Sequence, residues 1–330
     1  MASQRKLSRQ QRKRIHDRHR QWQASDADQG HSGTVVAHFG GEVLIETGEE
    51  KREDRQRRMH ARANLGGLVA GDRVVWHEDD TGEGVVVARL ERHGQLQRPN
   101  RFGGLRTVAA NVDLLILVIA PEPAPQTELV DRYLAAAEIY DLDVVILLNK
   151  ADLLEPDMEE RTDPLLQRYT HLGYRIERTS ARGNEAIGKV PDFLNQRTSV
   201  IGGQSGVGKS SLIKQWLPDV ELRIGELSRH GEGTHTTTTP HLYRLRGGGA
   251  IIDSPGIREF GLWHMTPEDI TRGFVDVRQW LGYCRFRDCR HRNEPGCALK
   301  QAVERGELHP QRFEHYLRLH DEAANQTPTS

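Results

Sequence analysis

Residues 203–210 read GQSGVGKS, which is the pattern of a phosphate-binding loop. Such a loop needs a strand before it and a helix after it, because backbone N–H groups and the helix N-terminus must surround phosphate oxygens. The flanks agree, since residues 197–202 predict a short buried strand and residues 211–217 predict a helix. The alternative is a chance glycine-rich turn. The segment predicts an α/β fold with a P-loop core.

A second motif, NKAD at residues 149–152, lies upstream of this loop. An N-K-x-D motif recognises guanine, because the Asp152 carboxylate can accept hydrogen bonds from the ring N–H and the exocyclic amine. Adenine offers no such donor pair, so GTP is predicted over ATP. The motif follows the apolar run 144–148, at a strand end where doubly wound sheets bind ligands. Alone, the tetrapeptide could be a strand-end turn.

A third motif, DSPG at residues 253–256, follows the apolar run 250–252. This D-x-x-G pattern predicts Asp253 in the Mg²⁺ shell and the Gly256 N–H beside the γ-phosphate. In an ordinary small GTPase the guanine motif comes after the phosphate loop, whereas here it comes before. The rotated order predicts a circularly permuted GTPase.

The segment between loop and D-x-x-G contains a threonine run, residues 234–239 (THTTTT). Thr237 is the predicted Mg²⁺ ligand of this switch, and Thr236 and Thr238 stay open as alternatives. Ile257 stands where many GTPases have a water-orienting Gln. We therefore expect His235 to orient the attacking water, with a purely loop-shaping role, or a group supplied by RNA, as the alternatives.

The predicted site thus has three sets of residues. Lys209, which would reach the β- and γ-phosphates, joins His235 and Thr237 in the catalytic set. The magnesium ligands are Ser210, Thr237 and Asp253. The nucleotide-binding residues, which include a short S-A match to the loop under guanine, are Asn149, Lys150, Asp152, Ser180, Ala181, Gly203, Gln204, Ser205, Gly206, Val207, Gly208, Lys209, Ser210, Ser211, Asp253 and Gly256.

Charge is segregated along the 330 residues, although the net charge is only −1. Residues 1–25 contain eight Lys or Arg and one acid, Asp17. Residues 1–33 are predicted to be a basic, disordered arm and linker, which suits a phosphate backbone but is more often a solvated tail. No stretch is apolar enough for a signal peptide or a membrane span, which predicts a cytoplasmic protein.

Residues 34–98 predict a small β-barrel. Apolar alternation marks strands at 34–39, 42–46, 73–76 and 84–90, with glycine turns between them. A five-stranded oligonucleotide-binding (OB) barrel fits, and an SH3-like barrel fits the pattern as well. One connection is expected to hold a basic cluster, made of Lys51, Arg52, Arg55, Arg57, Arg58 and Arg62.

The cysteines of the chain all lie close together, at Cys284, Cys289 and Cys297, with His291 between them. Three thiolates and an imidazole suit tetrahedral Zn²⁺, and four protein ligands make a closed, structural site. Unrelated reduced thiols are the alternative. Residues 99–262 are assigned to the GTPase domain, and 263–330 to a zinc-binding, mainly helical domain with a closing helix at 311–322 and a tail.

Together the motifs resemble one family, the ribosome small-subunit-dependent GTPases of the RsgA or YjeQ group. The resemblance is carried by the motif order, by GQSGVGKSS at 203–211, HTTT at 235–238, DSPGIREFGL at 253–262 and the Cys₃His spacing. It implies an OB barrel, a permuted GTPase core and a zinc domain.

The resemblance also implies the activity: late maturation of the 30S subunit near the decoding centre, with 16S rRNA bound and GTP hydrolysis stimulated by the subunit. A monomer with GTP or GDP, Mg²⁺ and one structural Zn²⁺ is expected. Two alternatives stay open. One is a permuted GTPase of the large subunit, and the other is a GTP-gated RNA-binding protein whose hydrolysis is incidental.

Overall fold

The computed structural model describes residues 30–48, 55–99, 104–180, 182, 190–217, 240–253 and 265–326. The chain divides into two compact units, Met1–His93 and Gly94–Ser330. The finer boundaries expected at 98/99 and 262/263 stay predictions. No helix in the described part of the chain is long and apolar enough to cross a membrane.

The first unit is a closed barrel in which the strands follow the order β1-β2-β3-β5-β4. Valine and isoleucine alternate along its strands, so one face of each strand fills a core that includes Val35, Ile45, Val74, Trp76 and Val86. The strands are β1 (His31–Phe39), β2 (Glu42–Thr47), β3 (Gln56–Ala61), β4 (Arg73–Glu78) and β5 (Gly84–Arg89).

Strand β3 corrects one expectation. The basic cluster does not lie in a single connection, because Arg57 and Arg58 are part of β3, which pairs antiparallel with β2 and parallel with β5. The sequence QRRMHA has only Met59 as a large apolar residue, and that side chain alone is buried in the strand. The parallel β3–β5 pair and the strand order identify the OB-type barrel rather than the SH3-like alternative.

The second unit is built on a six-stranded sheet of order β10-β9-β8-β11-β13-β12. All neighbours are parallel except the edge strand β12, which runs antiparallel to β13. The central strand LLILVI is buried at every position, as expected for a sheet covered on both faces. The strands are β8 (Leu114–Ile119), β9 (Asp143–Leu148), β10 (Arg175–Arg178), β11 (Thr198–Gly202), β12 (His241–Arg244) and β13 (Ala250–Asp253).

Other elements complete this unit. A separate hairpin, β6 (Gln95–Pro99) with β7 (Leu105–Ala110), precedes the sheet. The helices are α1 (Thr127–Ile139), α2 (Pro156–His171), α3 (Lys209–Trp216), α4 (Pro267–Gly273), α5 (Val275–Arg278), α6 (Ala298–Glu304) and α7 (Pro310–Gln326). The expected closing helix at 311–322 is therefore α7.

A buried ion cluster fastens the C-terminal helices to the GTPase core. Arg312 of α7 forms two 2.7 Å hydrogen bonds to Asp276 of α5 and also pairs with Asp131 of α1. Asp131 accepts further bonds from the Tyr169 hydroxyl at 2.8 Å and from His315 Nδ1 at 2.6 Å. All five side chains are buried. Because charges in an apolar interior are tolerated only when paired, this cluster defines how α7 docks.

Candidate functional site

The predicted nucleotide motifs meet at the carboxyl ends of neighbouring parallel strands. The N-K-x-D motif follows β9, the phosphate loop follows β11, and Asp253 is the last residue of β13. Strand β8 lies between β9 and β11. The fold therefore brings together at one sheet edge motifs that are far apart in the sequence, which is where such sheets bind ligands.

Glycines in the phosphate loop are required by close packing. Gly203 has φ 131° and Gly208 has φ 94°, in a region that side chains disfavour. A Cβ on Gly203 would lie 2.1 Å from the Val118 carbonyl oxygen, and one on Gly208 would lie 2.3 Å from Asn149 Nδ2. The loop consequently lies against both β8 and the guanine motif.

The Lys209 ammonium points back over its own loop. Its Nζ donates to the carbonyl oxygens of Gly203 at 2.7 Å and Gln204 at 2.6 Å. This holds the cation on the concave side of the loop, where phosphate oxygens would replace the carbonyls as acceptors.

Asn149 joins the two motifs directly. Its side chain is 1% exposed, and Nδ2 donates to the Val207 carbonyl at 2.8 Å. Its Oδ1 is buried and has no hydrogen-bond partner among the described residues. A buried acceptor without a donor costs free energy, so this oxygen fits a site that is completed by a ligand.

Asp152 is held as an ionised acceptor. Its Oδ1 accepts a 2.5 Å hydrogen bond from the Ser180 hydroxyl, and Oδ2 lies 3.1 Å from an Arg182 guanidinium nitrogen. These contacts, first the Ser180 hydroxyl and then the Arg182 charge, hold the pKa of the Asp152 carboxyl below its ordinary value. The predicted pair Asp152 and Ser180 is therefore brought together, and Arg182 is a neighbour that the sequence analysis did not find.

The segment 121–126, between β8 and α1, contacts residues of the nucleotide site, which the sequence analysis did not predict. Lys150 Nζ donates to the Glu122 carbonyl at 2.8 Å. The Gln204 side chain accepts from the Gln126 N–H at 2.9 Å and donates to the Ala124 carbonyl at 3.0 Å. Prolines at 121, 123 and 125 directly after a buried strand end were the available signal.

The remaining predicted residues divide into placed and unplaced ones. Val207 is buried in the core, and Ser210 and Ser211 lie in the first turn of α3. Ser205 and Gly206 lie in the turn of the loop. A Cβ added to Gly206 would lie 3.6 Å from the Pro123 side chain. Four predicted residues lie outside the described part of the chain: Ala181, His235, Thr237 and Gly256.

The Cys₃His cluster lies in the C-terminal part of the same unit. His291 Nδ1 is 3.6 Å from Cys284 Sγ, 3.5 Å from Cys289 Sγ and 3.4 Å from Cys297 Sγ. Zinc bonds of about 2.0–2.3 Å in a tetrahedron place the ligand atoms roughly 3.5–3.8 Å apart, so these spacings fit. The four ligand atoms all lie within 4.8 Å of one another.

The environment of the cluster also suits a metal. Burial lowers the pKa of His291, which favours the neutral imidazole that binds metals. Burial raises the pKa of the Cys289 thiol to about 12, so ionised thiolates need a cation beside them. The Ala298 N–H, at the start of α6, donates to Cys284 Sγ at 3.4 Å. The donor set therefore fits a closed structural zinc site.

Comparison with known proteins agrees with this geometry. The family described as RsgA GTPase matches residues 89–263. A protein of Marinobacter nauticus named small ribosomal subunit biogenesis GTPase RsgA is 50% identical over 300 residues, which cover 89% of this chain and 85% of that protein. The chain belongs to the RsgA GTPase family. It is accordingly a GTP hydrolase that uses GTP and GDP with Mg²⁺.

Further relatives extend over nearly the whole chain. A Chromohalobacter salexigens protein of the same name is 47% identical and covers 97% of this chain and 98% of its own length. The crystal structure of YjeQ from Thermotoga maritima has a TM-score of 0.69 at 31% identity, covering 89% of this chain and 98% of that one. YloQ, a circularly permuted GTPase, also has a TM-score of 0.69, at 29% identity, and covers 91% of this chain and 97% of its own. The predicted permutation and fold class are confirmed.

Proposed function

We propose that this GTPase acts in late assembly of the small (30S) ribosomal subunit, in the cytoplasm. The observation that carries the proposal is the high identity, over most of the chain, to proteins named for small-subunit biogenesis. Those names also favour the small subunit over the large-subunit alternative. The protein binds 16S rRNA as a monomer, and the subunit stimulates GTP hydrolysis.

Each group at the nucleotide site has a proposed role. Asp152 recognises the guanine edge, and the buried Asn149 braces the phosphate loop against that recognition site. Lys209 moves from the loop carbonyls to the β- and γ-phosphates. Bound Mg²⁺ would neutralise phosphate charge, held by Ser210, Asp253 and a switch threonine, Thr237.

The attacking water is the remaining requirement for hydrolysis. Residue 257 is isoleucine, whose side chain cannot hydrogen-bond to water, so His235 is proposed to orient the water when the subunit is bound. We expect His235→Ala to lower subunit-stimulated kcat by about tenfold or more and to leave GTP affinity unchanged, the pattern of a lost transition-state contact. An unchanged stimulated kcat would move this role to the ribosome.

Cys284, Cys289, His291 and Cys297 are proposed to hold one zinc ion whose role is structural. The fit of the four ligand atoms to a tetrahedron supports it. Metal analysis of the purified protein is expected to find about one zinc per chain, and chelation is expected to unfold the C-terminal region without abolishing GTP binding. A metal-free wild type with an intact C-terminal region would contradict the assignment.

The barrel has side chains suited to rRNA. Phe39 of β1 is 37% exposed, and the Arg58 guanidinium of β3 lies 5.1 Å from the centre of its ring. An exposed aromatic ring can stack on a base, and a cation beside the ring can bind the neighbouring phosphate. The basic arm of residues 1–25 is proposed to add a salt-sensitive contribution to the same binding.

Nucleotide-dependent sedimentation with purified small subunits tests the proposed function. The protein is expected to pellet with the subunit, one chain per particle, when bound to a non-hydrolysable GTP analogue, and to remain largely in the supernatant with GDP. Large subunits provide the control. Equal pelleting with both subunits, or none with either, would refute the small-subunit assignment.

A further inference from the structure

The loop of residues 281–290 concentrates exposed apolar side chains. Leu281, Tyr283 and Phe286 are 42%, 75% and 42% exposed, and no other large apolar side chain between residues 265 and 326 is exposed to that degree. Every position of this loop is exposed except the ligands Cys284 and Cys289. Aromatic side chains displayed in this way on a small surface are typical of binding sites.

Unpaired arginines share the loop. Arg285, Arg287 and Arg290 form no ion pair with any described residue. The other arginines of the described C-terminal region are each paired with an acid: Arg272, Arg278, Arg292, Arg305, Arg312 and Arg318. Among the arginines of the described C-terminal region, those without an acidic partner are therefore confined to the loop that carries the exposed aromatic side chains. That combination suits an anionic partner with flat apolar groups.

The loop is held in place before any partner binds. Cys284 and Cys289, two of the cluster residues, bracket positions 285–288. The Arg285 N–H donates to the Gly296 carbonyl at 3.0 Å, and the Cys289 N–H donates to the Phe286 carbonyl at 3.3 Å. The Arg285 guanidinium lies 5.6 Å from the centre of the Phe286 ring. A loop that is already ordered loses little conformational entropy on binding.

We propose that the 281–290 loop is a stacking platform for unpaired RNA bases of the small subunit, with Tyr283 and Phe286 against the bases. Arg285, Arg287 and Arg290 contact the neighbouring phosphates. This rests on the proposed function, and it specifies which kind of RNA the C-terminal region binds. A-form duplex RNA buries its base faces, so it would be bound by the arginines alone and would leave the rings without a role.

Affinity of the full-length protein for small subunits, and for protein-free 16S rRNA, tests the platform. Tyr283→Ala and Phe286→Ala are each expected to raise Kd on both by about 5- to 150-fold, the effect of losing one stacked base. Tyr283→Phe and Phe286→Tyr, which keep the rings, are expected to restore wild-type Kd. Zinc content and subunit-free GTP turnover must match wild type, which excludes unfolding.

The salt dependence separates the two kinds of contact. Arg287→Gln is expected to reduce the slope of log K against log salt by about one, whereas the alanine variants of the rings leave it unchanged. Arg272→Gln is the matched control, because the Arg272 guanidinium already pairs with Asp269 at 2.7 Å. This variant should change neither Kd nor the salt slope.

Three outcomes would overturn the platform. If Tyr283→Ala and Phe286→Ala both bind the subunit with wild-type affinity, the platform is wrong and the proposed function stays intact. Weaker binding to the subunit but not to protein-free rRNA would assign the loop to a ribosomal protein. Equal loss in the ring-keeping and alanine variants would show that stacking is not the interaction. Failure of the wild type to bind small subunits would instead refute the proposed function.

Discussion

Asp152→Asn is expected to lower the affinity for GTP and GDP by about 30- to 700-fold, which corresponds to about 2–4 kcal/mol. The carboxylate would otherwise accept from two guanine donors, and an amide in its place presents a donor to the guanine amine. Xanthine carries a carbonyl oxygen where guanine has that amine. The variant should therefore bind xanthosine nucleotides more tightly than guanosine nucleotides.

Competition binding with GTP, ATP and xanthosine triphosphate measures this change. Asp157→Asn is the matched control, because Asp157 is an exposed carboxylate in the first turn of α2 and the substitution removes the same charge. The control should keep wild-type preference. Retention of GTP preference by Asp152→Asn, or equal affinity of the wild type for ATP and GTP, would contradict the guanine assignment.

Arg312→Met is expected to destabilise the second unit by about 3–5 kcal/mol, because it leaves Asp131 and Asp276 buried without their cation. Burial alone would lower the pKa of Arg312, but the hydrogen bonds to Asp276 and the charge of Asp131 raise it above its ordinary value. The arginine is therefore charged at all relevant pH values. Hydrogen exchange in residues 265–326 should increase first, since α7 loses its central contact with α1.

Arg318→Met provides the control on the same helix. Arg318 also pairs with a residue of α1, Glu128, but its side chain is 59% exposed. Exposed ion pairs contribute less than about 1 kcal/mol, so this variant should unfold close to the wild type in urea. If Arg312→Met loses no more stability than Arg318→Met, the buried cluster is not what holds α7 in place.

Much of the nucleotide site could be predicted because each motif is local. The phosphate loop, the guanine motif and Asp253 each end or follow an apolar strand, and parallel strands bring such ends to one edge. The Cys₃His spacing likewise predicts that its four side chains lie close together. These features depend on backbone geometry within a few residues, so a short stretch of sequence is enough to predict them.

Other features depend on pairing between distant segments and have no local signal. Strand β3 is largely polar, and it is a strand because β2 and β5 supply its hydrogen-bond partners. Arg312 and Asp131 are 181 residues apart, and nothing in the sequence around α7 distinguishes that arginine from its exposed neighbours. The Gln204 contacts with segment 121–126 arise because β8 lies beside β11 in the sheet.

The rate of GTP hydrolysis with and without purified small subunits tests the central claim most directly. At saturating GTP, wild type is expected to turn over slowly alone and many times faster with small subunits, with no increase from large subunits. Asp152→Asn should show the same stimulation with xanthosine triphosphate and not with GTP, which ties the activity to this site. A rate that is unchanged by small subunits would contradict the account and leave a GTP-dependent RNA-binding protein in its place.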